Sequence, residues 1–225
     1  MILRLLPILL MIGYGLLQWQ MSARQLRRRL DQPSTPLSHA ALSPLVDRLS
    51  SALDLPRLQV FVYEIPEVNG LAAPDGRVFV TRGLLDWLDQ GRATPEELAS
   101  VIAHEVGHVA LGHIRRRMIE FNGQNAVAAV LGGLLSRLLP GIGPLITRSA
   151  VGLLSAHLSR RDEYEADAYA TALLLKSGIG VRGQLSLLRK FETARRVSWL
   201  EGHPATPDRI KAIETNATRW TNFKN

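Results

Sequence analysis

The sequence predicts an α+β protein, mainly helical, with one small antiparallel sheet and one N-terminal transmembrane helix ahead of the globular part. Three observations predict this class. Residues 5–23 are apolar and uncharged, residues 58–64 and 77–81 are short runs rich in β-branched and aromatic side chains, and most other segments show helical periodicity. A chain of 225 residues that is 46% hydrophobic can bury one core in addition to an anchor.

The first stretch, residues 5–23, has the length that crosses the hydrocarbon layer of a bilayer, and Trp19 would lie near an interface. A cleaved signal peptide is the alternative, with Ala23 ending the best cleavage pattern (Met-Ser-Ala). Four arginines between residues 24 and 29 follow the stretch, whereas Arg4 alone precedes it. The positive-inside bias therefore predicts a cytoplasmic globular part, with the periplasm as the alternative.

The predicted organisation is an N-terminal membrane anchor at residues 1–23, a linker at residues 24–37 and a globular domain at residues 38–222. The linker ends in a stretch rich in Pro and Ser, and Ser38 can cap a helix that extends to about residue 53. The two predicted strands come next, and Asp75-Gly76 between them is a strong turn signal. We therefore expect the two strands to pair in antiparallel fashion.

A long helix is predicted from Thr94 onwards. Thr94 is a suitable N-cap, Pro95 occupies the first helical position, and Glu97 completes a capping box. The helix is expected to extend to about residue 119. Residues 115–117, all arginine, would then lie in its last turns, where cations interact favourably with the helix dipole.

This helix carries the sequence Ala-His-Glu-Val-Gly-His-Val at residues 103–109. His104 and His108 project from one face, so their imidazoles can share one Zn²⁺. Glu105 is placed to take a proton from a metal-activated water. The neighbouring side chains are apolar, and a buried carboxylate among them needs a partner, which a metal ion would supply. Two histidines that only pack in the core are the alternative.

A second polar cluster lies at residues 159–169. A hydrolytic zinc site needs a third protein ligand and an open position for water. Glu163 and Asp167 share one helix face, so Glu163 can bind the metal while Asp167 accepts a hydrogen bond from the outer nitrogen of a ligand histidine. Asp162 and Glu165 point elsewhere on the helix and are expected to be solvated or salt-bridged.

Between the long helix and this cluster, residues 125–158 are unusually apolar, although Arg137, Arg148 and several Pro and Gly residues interrupt them. Neither apolar run reaches a clean spanning length. Three interpretations remain open: helices packed on the core, a mobile apolar flap over the site, or a surface that dips into lipid.

The composition excludes several classes of function. The chain contains no Cys, which excludes disulfides, thiolate metal ligands, a nucleophilic Cys and lipid attachment through Cys. The formal net charge is +7, but much of the surplus lies in two Arg clusters, at residues 24–29 and 115–117, which are not interleaved with aromatic residues. Nucleic-acid binding is therefore not expected.

Three segments together resemble one family of enzymes. They are His-Glu-Val-Gly-His at residues 104–108, Ser-Arg-Arg-Asp-Glu-Tyr-Glu-Ala-Asp-Ala at 159–168, and His-Pro-Ala-Thr-Pro-Asp-Arg-Ile at 203–210. They look like the zinc metallopeptidases of the HtpX and CAAX-prenyl-protease type, which are gluzincins, with a Glu as the third zinc ligand. The stretch 68–85 is also similar to this family. A single predicted anchor stands where HtpX-type enzymes have several membrane spans, so the chain looks closer to the short single-domain members.

The resemblance implies a zincin-like metallopeptidase domain that binds one Zn²⁺ per chain. His104, His108 and Glu163 match the family's zinc ligands. Glu105 matches its general base, and Asp167 matches an acidic residue that supports a ligand histidine.

The resemblance also implies how a substrate is held. His203 matches a histidine near the substrate, which would help to stabilise the oxyanion, with packing before Pro204 as the alternative. Arg209 is expected to form a structural ion pair. The strand at residues 78–81 looks like the family's edge strand, on which a polypeptide substrate could bind in extended form through main-chain hydrogen bonds.

The function predicted on these grounds is that of a membrane-anchored zinc endopeptidase, in a bacterial inner membrane, that hydrolyses peptide bonds with a metal-activated water in protein quality control. The alternatives are a latent peptidase and a non-catalytic, zinc-containing holdase that binds peptides. Glu105 discriminates against the holdase, because a structural zinc site needs no base beside the metal.

Overall fold

The computed structural model describes residues 30–117, 143–193, 203–204 and 206–222, and a few positions between 20 and 28. Its elements, in chain order, are β1 (Ser34–Pro36), α1 (Ser43–Ala52), β2 (Val60–Tyr63), β3 (Gly70–Ala72), β4 (Val78–Thr81), α2 (Arg82–Asp89), α3 (Pro95–Ala110), α4 (Gly143–Lys176), α5 (Arg182–Thr193) and α6 (Pro207–Asn222). The chain is thus α+β and mainly helical, as predicted.

Almost all of the predicted anchor, residues 5–23, lies outside the described residues. Among the helices that the structure describes, none is both long and apolar enough to cross a membrane. The apolar segment at residues 125–158 is described only from residue 143, where α4 begins, so the choice among its three interpretations stays open.

The sheet is mixed, with the strand order β1-β2-β4-β3. The β1–β2 and β3–β4 pairs are antiparallel, whereas β2 and β4 run parallel. The predicted antiparallel sheet is therefore corrected. Strand β4 forms its hairpin with β3, closed by a hydrogen bond from the Gly76 amide to the Ala73 carbonyl at 3.0 Å. Strand β2 can then reach only the opposite edge of β4, where it runs in the same direction.

This order also corrects the expected edge strand. Strand β4 is flanked by β2 on one side and β3 on the other, so it has no free edge. The strands at the two edges of the sheet are β1 and β3, and β3 packs against α3. Gly70 permits this contact, because a Cβ at that position would lie 2.5 Å from Cγ1 of Val101 on α3.

Two further boundaries differ from the prediction at the start of the globular part. Residues 34–36 of the predicted linker form β1, so part of that linker belongs to the sheet. The first helix begins at Ser43 rather than after Ser38. The Ser43 hydroxyl accepts a hydrogen bond from the His39 amide, and Pro44 follows with the backbone angle that a first helical turn requires.

Helix α3 is the centre of the fold. It packs against α1, α4, α5, β3 and β4, and every residue from 97 to 108 is buried. The predicted capping box is confirmed: the Thr94 hydroxyl accepts from the Glu97 amide, and the Glu97 carboxylate accepts from the Thr94 amide. Gly107 lets α4 come close, since a Cβ there would lie 3.0 Å from the Ala166 carbonyl oxygen.

Helix α3 ends at Ala110, earlier than the expected residue 119. Gly112 has a φ of +68°, a left-handed conformation that ends helices, and a separate helical stretch follows at residues 113–117. The expected role of residues 115–117 at the end of the long helix is therefore wrong. Arg116 and Arg117 instead form ion pairs with Asp162 of α4, which confirms that Asp162 is salt-bridged.

A buried carboxylate ties the start of α3 to α5. Glu97 is 1% exposed, and besides its cap it accepts hydrogen bonds from the Lys190 ammonium at 2.7 Å and the Ser186 hydroxyl at 2.6 Å. Burial alone would raise the pKa of Glu97, but these hydrogen bonds outweigh burial and lower it below the usual 4.5.

We expect Glu97→Gln to lower the free energy of unfolding by about 2 kcal/mol near pH 7, because an amide cannot accept all of these hydrogen bonds. The folded-state pKa lies below the unfolded one, so this stabilisation is present above about pH 4.5 and is lost as the pH falls. Urea unfolding near pH 7 and again below pH 4.5 measures this change in the free energy of unfolding. Glu96→Gln, an exposed neighbour in the same turn, is the control and should change stability by less than about 0.5 kcal/mol.

Candidate metal centre

Four side chains from three parts of the chain meet beside α3. His104 and His108 come from α3, Glu163 comes from α4, and His203 precedes α6. One nitrogen or oxygen atom from each lies within 4.8 Å of the corresponding atom of every other. His104, His108 and Glu163 are buried, while the His203 side chain is 12% exposed. The structure thus brings the three residues predicted as metal ligands into one group.

The ligand atoms converge at short range. Nε2 of His104 lies 3.1 Å from Nε2 of His108, and the Glu163 oxygens lie 3.2 Å and 3.5 Å from these two nitrogens. The four-residue spacing on α3 places the two imidazoles on one face, and Gly107 keeps α4 near enough for Glu163 to reach them.

Asp167 lies where the sequence predicted it, on the outer side of His104. Nδ1 of His104 donates to the Asp167 carboxylate at 3.0 Å, so Nε2 is free of its proton in the neutral ring and faces the other ligands. Arg209, buried like Asp167, donates to both oxygens of that carboxylate, at 2.6 Å and 2.9 Å. The predicted ion pair of Arg209 is therefore confirmed.

These contacts shift the pKa values of the side chains in the ligand group. Burial would lower the pKa of His104, but hydrogen bonds to Asp167 and Glu163 outweigh burial and raise it to about 9. Burial and the neighbouring His104 lower the pKa of His108. Burial would raise the pKa of Glu163, yet its hydrogen bonds with His104 and His203 hold it well below its usual range. At neutral pH the metal-free group therefore pairs an ionised Glu163 carboxylate with a protonated His104 ring, and a metal ion that bound there would displace the proton on Nε2 of His104.

Glu105 is buried next to this group and lies outside it. Its Oε1 atom has no hydrogen-bond partner within the described part of the chain. Nε2 of His203 lies 3.5 Å from this oxygen. Gly70 of β3 lies alongside, since a Cβ there would be 3.6 Å from Cγ of Glu105. The carboxylate therefore sits between the ligand group and the edge strand.

His203 is in direct contact with the predicted metal ligands. Its Nδ1 is 2.8 Å from the Glu163 carboxylate and 3.2 Å from Nε2 of His104. Arg209 helps to hold this segment, because it donates to the Pro204 carbonyl at 2.8 Å. In this arrangement His203 lies where a fourth ligand would be.

The sequence analysis missed two features of the site. His113 is fully buried and contacts His108, and Arg117 donates to the Glu163 carboxylate at 3.1 Å. The sequence held one signal for His113. It follows Gly112 directly, and a glycine five residues or fewer past His108 could end the helix there.

The residues present fit a bound metal ion. Two imidazole nitrogens and a carboxylate oxygen are a donor set that zinc accepts, and the outer nitrogen of His104 is held by a carboxylate, as is usual for metal-bound histidine. The orphaned Oε1 of Glu105 is a buried polar atom that nothing else in the described chain satisfies. A buried carboxylate oxygen without a hydrogen-bond partner is costly and marks a functional position.

An H-E-x-x-H helix, a carboxylate from a second helix and an edge strand beside them define this chain as a metallopeptidase. Residues 36–217 match peptidase family M48, and the chain belongs to that family. This confirms the resemblance to HtpX-type enzymes inferred from the motifs.

Relatives in this family bear metalloprotease and protease names. The chain is 34% identical over 179 residues to the metalloprotease LoiP of Escherichia coli (strain K12), which covers 76% of this chain and 68% of LoiP. It is 32% identical over 160 residues to the metalloprotease YcaL of the same strain, covering 68% of this chain and 59% of YcaL. It is 28% identical over 220 residues to a protease HtpX homolog of Dictyoglomus thermophilum. That match covers 78% of this chain and 69% of the homolog. The chain therefore spans less than two thirds of the length of YcaL.

Proposed function

We propose that this protein is a zinc-dependent endopeptidase that binds one Zn²⁺ per chain. The observation that carries this proposal is the convergence of His104, His108 and Glu163 beside a buried carboxylate, Glu105, whose Oε1 has no hydrogen-bond partner among the described residues. A purely structural zinc site would have no use for that carboxylate. The metalloprotease names of LoiP and YcaL support the same assignment.

In this proposal His104, His108 and Glu163 hold the metal. When bound, zinc would make a water molecule more acidic and polarise the scissile carbonyl. Glu105 accepts the proton of the attacking water on its free oxygen and delivers it to the leaving amide nitrogen. Asp167 keeps the His104 ring in the orientation that presents Nε2. Water attacks directly, so no covalent intermediate with the enzyme is needed.

The substrate is proposed to be a polypeptide in extended form, bound along β3. This strand pairs with β4 on one edge, and within the described residues no strand covers its other edge. Gly70 of β3 lies against Glu105, so a peptide paired with β3 would pass near the base. Main-chain pairing along an edge suits internal segments of a chain, which favours endopeptidase action.

Zinc content and cleavage of an unfolded protein test the proposal together. We expect about one zinc per chain, cleavage of casein at internal bonds, loss of cleavage on chelation and recovery when zinc is restored. A protein that retains no zinc after purification and reloading would contradict the metal site. Zinc binding without cleavage would instead favour a latent or non-catalytic form.

A latent state is favoured by one observation, the position of His203 in the ligand group. Four protein ligands are typical of closed structural zinc sites, whereas hydrolytic sites keep one position open. A peptidase held closed by His203 would become active when that segment moved away. The same site and the same base would then perform the chemistry.

We expect His203→Ala to raise casein cleavage about tenfold, because removing a fourth ligand populates the open site. Initial rates at equal zinc loading measure the effect, and His39→Ala, a histidine remote from the group, is the control. A fall in rate with zinc content unchanged would instead assign His203 to stabilisation of the oxyanion.

We further propose that residues 5–23 anchor the enzyme in a bacterial inner membrane, with the globular part in the cytoplasm or, alternatively, the periplasm, and that it acts in protein quality control. The apolar, uncharged sequence and the arginines that follow it support the anchor and the orientation. Fractionation of cells that express the full chain, with protease accessibility of the globular part from each side, tests both. Recovery of the intact chain in the soluble fraction would contradict the anchor.

A further inference from the structure

His113 lies against the second metal-ligand candidate, His108, at the end of α3. Its Nδ1 is 2.9 Å from Nδ1 of His108, and its side chain is fully buried. On a continuous helix, residue 113 would project about 140° away from residue 108 around the axis. The left-handed conformation of Gly112 ends the helix and returns the chain, which is why the two rings can meet.

The contacts of His113 define where the protons lie. Nε2 of His108 faces the ligand group, so its proton is on Nδ1, which donates to Nδ1 of His113. His113 must then carry its own proton on Nε2, which donates to the Glu165 carboxylate at 3.1 Å. Every donor in this series has an acceptor, and the series ends on a carboxylate that Arg161 also binds, at 2.8 Å.

His113, Asp162 and Glu165 also lie close enough together to suggest a second metal site. The arginines argue against it. Arg116 and Arg117 both pair with Asp162, so cationic side chains already neutralise the carboxylate that such a metal would need. The cluster therefore serves the neighbouring histidine rather than another ion.

We propose that His113 is a positioning residue that, backed by Glu165, fixes the tautomer and ring orientation in which His108 binds the metal. The arrangement parallels that of His104, which Asp167 holds directly from the same helix, α4. Both ligand histidines would then be oriented by α4 carboxylates, one directly and one through a second imidazole. This inference rests on the proposed zinc site and adds a role for residues outside the ligand set.

The test is the zinc dissociation constant of the full chain, measured against a chromophoric chelator. We expect His113→Leu to raise it about 10- to 100-fold, the usual effect of removing a partner of a metal-bound histidine. His113→Asn keeps an acceptor near the position of Nδ1 and should lose less than about tenfold. His39→Leu is the matched control, because His39 also contacts a carboxylate, at 3.0 Å, but lies away from the group.

Glu165→Gln distinguishes orientation from packing. We expect it to weaken zinc binding several-fold in the wild-type background and to have no further effect in His113→Leu, since Glu165 acts through His113. The visible spectrum of the Co²⁺-substituted protein should change in His113→Leu and be largely restored in His113→Asn. If His113→Leu does not fold, His113→Asn and Glu165→Gln still decide the question.

Unchanged zinc affinity in these variants, or equal effects of Glu165→Gln in both backgrounds, would overturn the inference while the zinc site stood. Absence of zinc binding by the wild-type chain would overturn the proposed function and this inference with it.

Discussion

Replacing Glu105 by Gln is expected to reduce casein cleavage about 10²- to 10⁴-fold while zinc remains at about one per chain. The side chain lies beside the ligand group but is not one of its members. Its Oε1 has no hydrogen-bond partner in the described chain, so it is free to accept a proton. Gln has the same shape but cannot accept that proton at neutral pH.

The same substitution should leave stability unchanged or raise it. A buried carboxylate oxygen without a hydrogen-bond partner costs free energy, and an amide removes the charge of the side chain. We therefore expect Tm of the metal-free variant to equal or exceed that of the wild type, a result that unfolding cannot imitate. Zinc analysis, thermal melting and initial rates measure the three quantities, with the exposed Glu67→Gln as control. Turnover close to the wild-type rate would refute the assigned base.

Predictions whose causes are local agree with the structure. The capping box of α3 depends only on Thr94, Pro95 and Glu97, and it forms as expected. The spacings of His104 with His108 and of Glu163 with Asp167 each lie within one helix, so periodicity alone places each pair on one face. The sequence can predict such pairs because four residues of helix define their geometry.

The sheet could not be predicted in this way, because strand pairing is non-local. Strand β3 has three residues and begins with Gly70, so it shows neither alternation nor β-branched side chains. Without it, β2 and β4 appear to be the two arms of one hairpin. Its presence turns their pairing parallel and transfers the free edge beside the site from β4 to β3.

The support of the ligand histidines was also beyond local reasoning. His113 contacts His108 only because Gly112 adopts a left-handed conformation, and glycine allows that conformation without requiring it. Glu165 lies 52 residues from His113, and Asp167 lies 42 residues from Arg209, so no spacing rule connects them. The chemical residues could be named from motifs, whereas the groups that orient them depend on tertiary structure.

Arg209 is where the metal site and the stability of the fold are most closely linked. It is buried, 2% exposed, and binds both oxygens of Asp167, the Pro204 carbonyl and, at 3.4 Å, the Glu163 carboxylate. Burial would lower its pKa, but its hydrogen bonds with Asp167 outweigh burial and raise it. The Arg209 guanidinium thus connects Glu163, Asp167 and the segment that carries His203.

We expect Arg209→Met to lower the free energy of unfolding of the metal-free protein by about 3–5 kcal/mol, because it removes a buried cation and leaves the Asp167 carboxylate with the His104 ring alone. Arg219→Met, an exposed arginine on the same helix, should change it by less than about 0.5 kcal/mol. Urea unfolding measures both. Arg209→Lys keeps the charge but loses the paired geometry and should fall between them.

The double variant Arg209→Met/Asp167→Asn separates loss of charge pairing from loss of packing. Asn removes the carboxylate charge that has lost its guanidinium partner, so we expect the double variant to be more stable than Arg209→Met alone, with a coupling energy of about 1–3 kcal/mol. Its zinc affinity should nevertheless be weaker than that of the wild type, because a neutral amide orients His104 less firmly than a carboxylate does. Additive losses of stability would mean that Arg209 contributes through packing alone. Recovery of stability without recovery of zinc affinity would show that the ion pair is retained in this fold for the metal site and not only for folding.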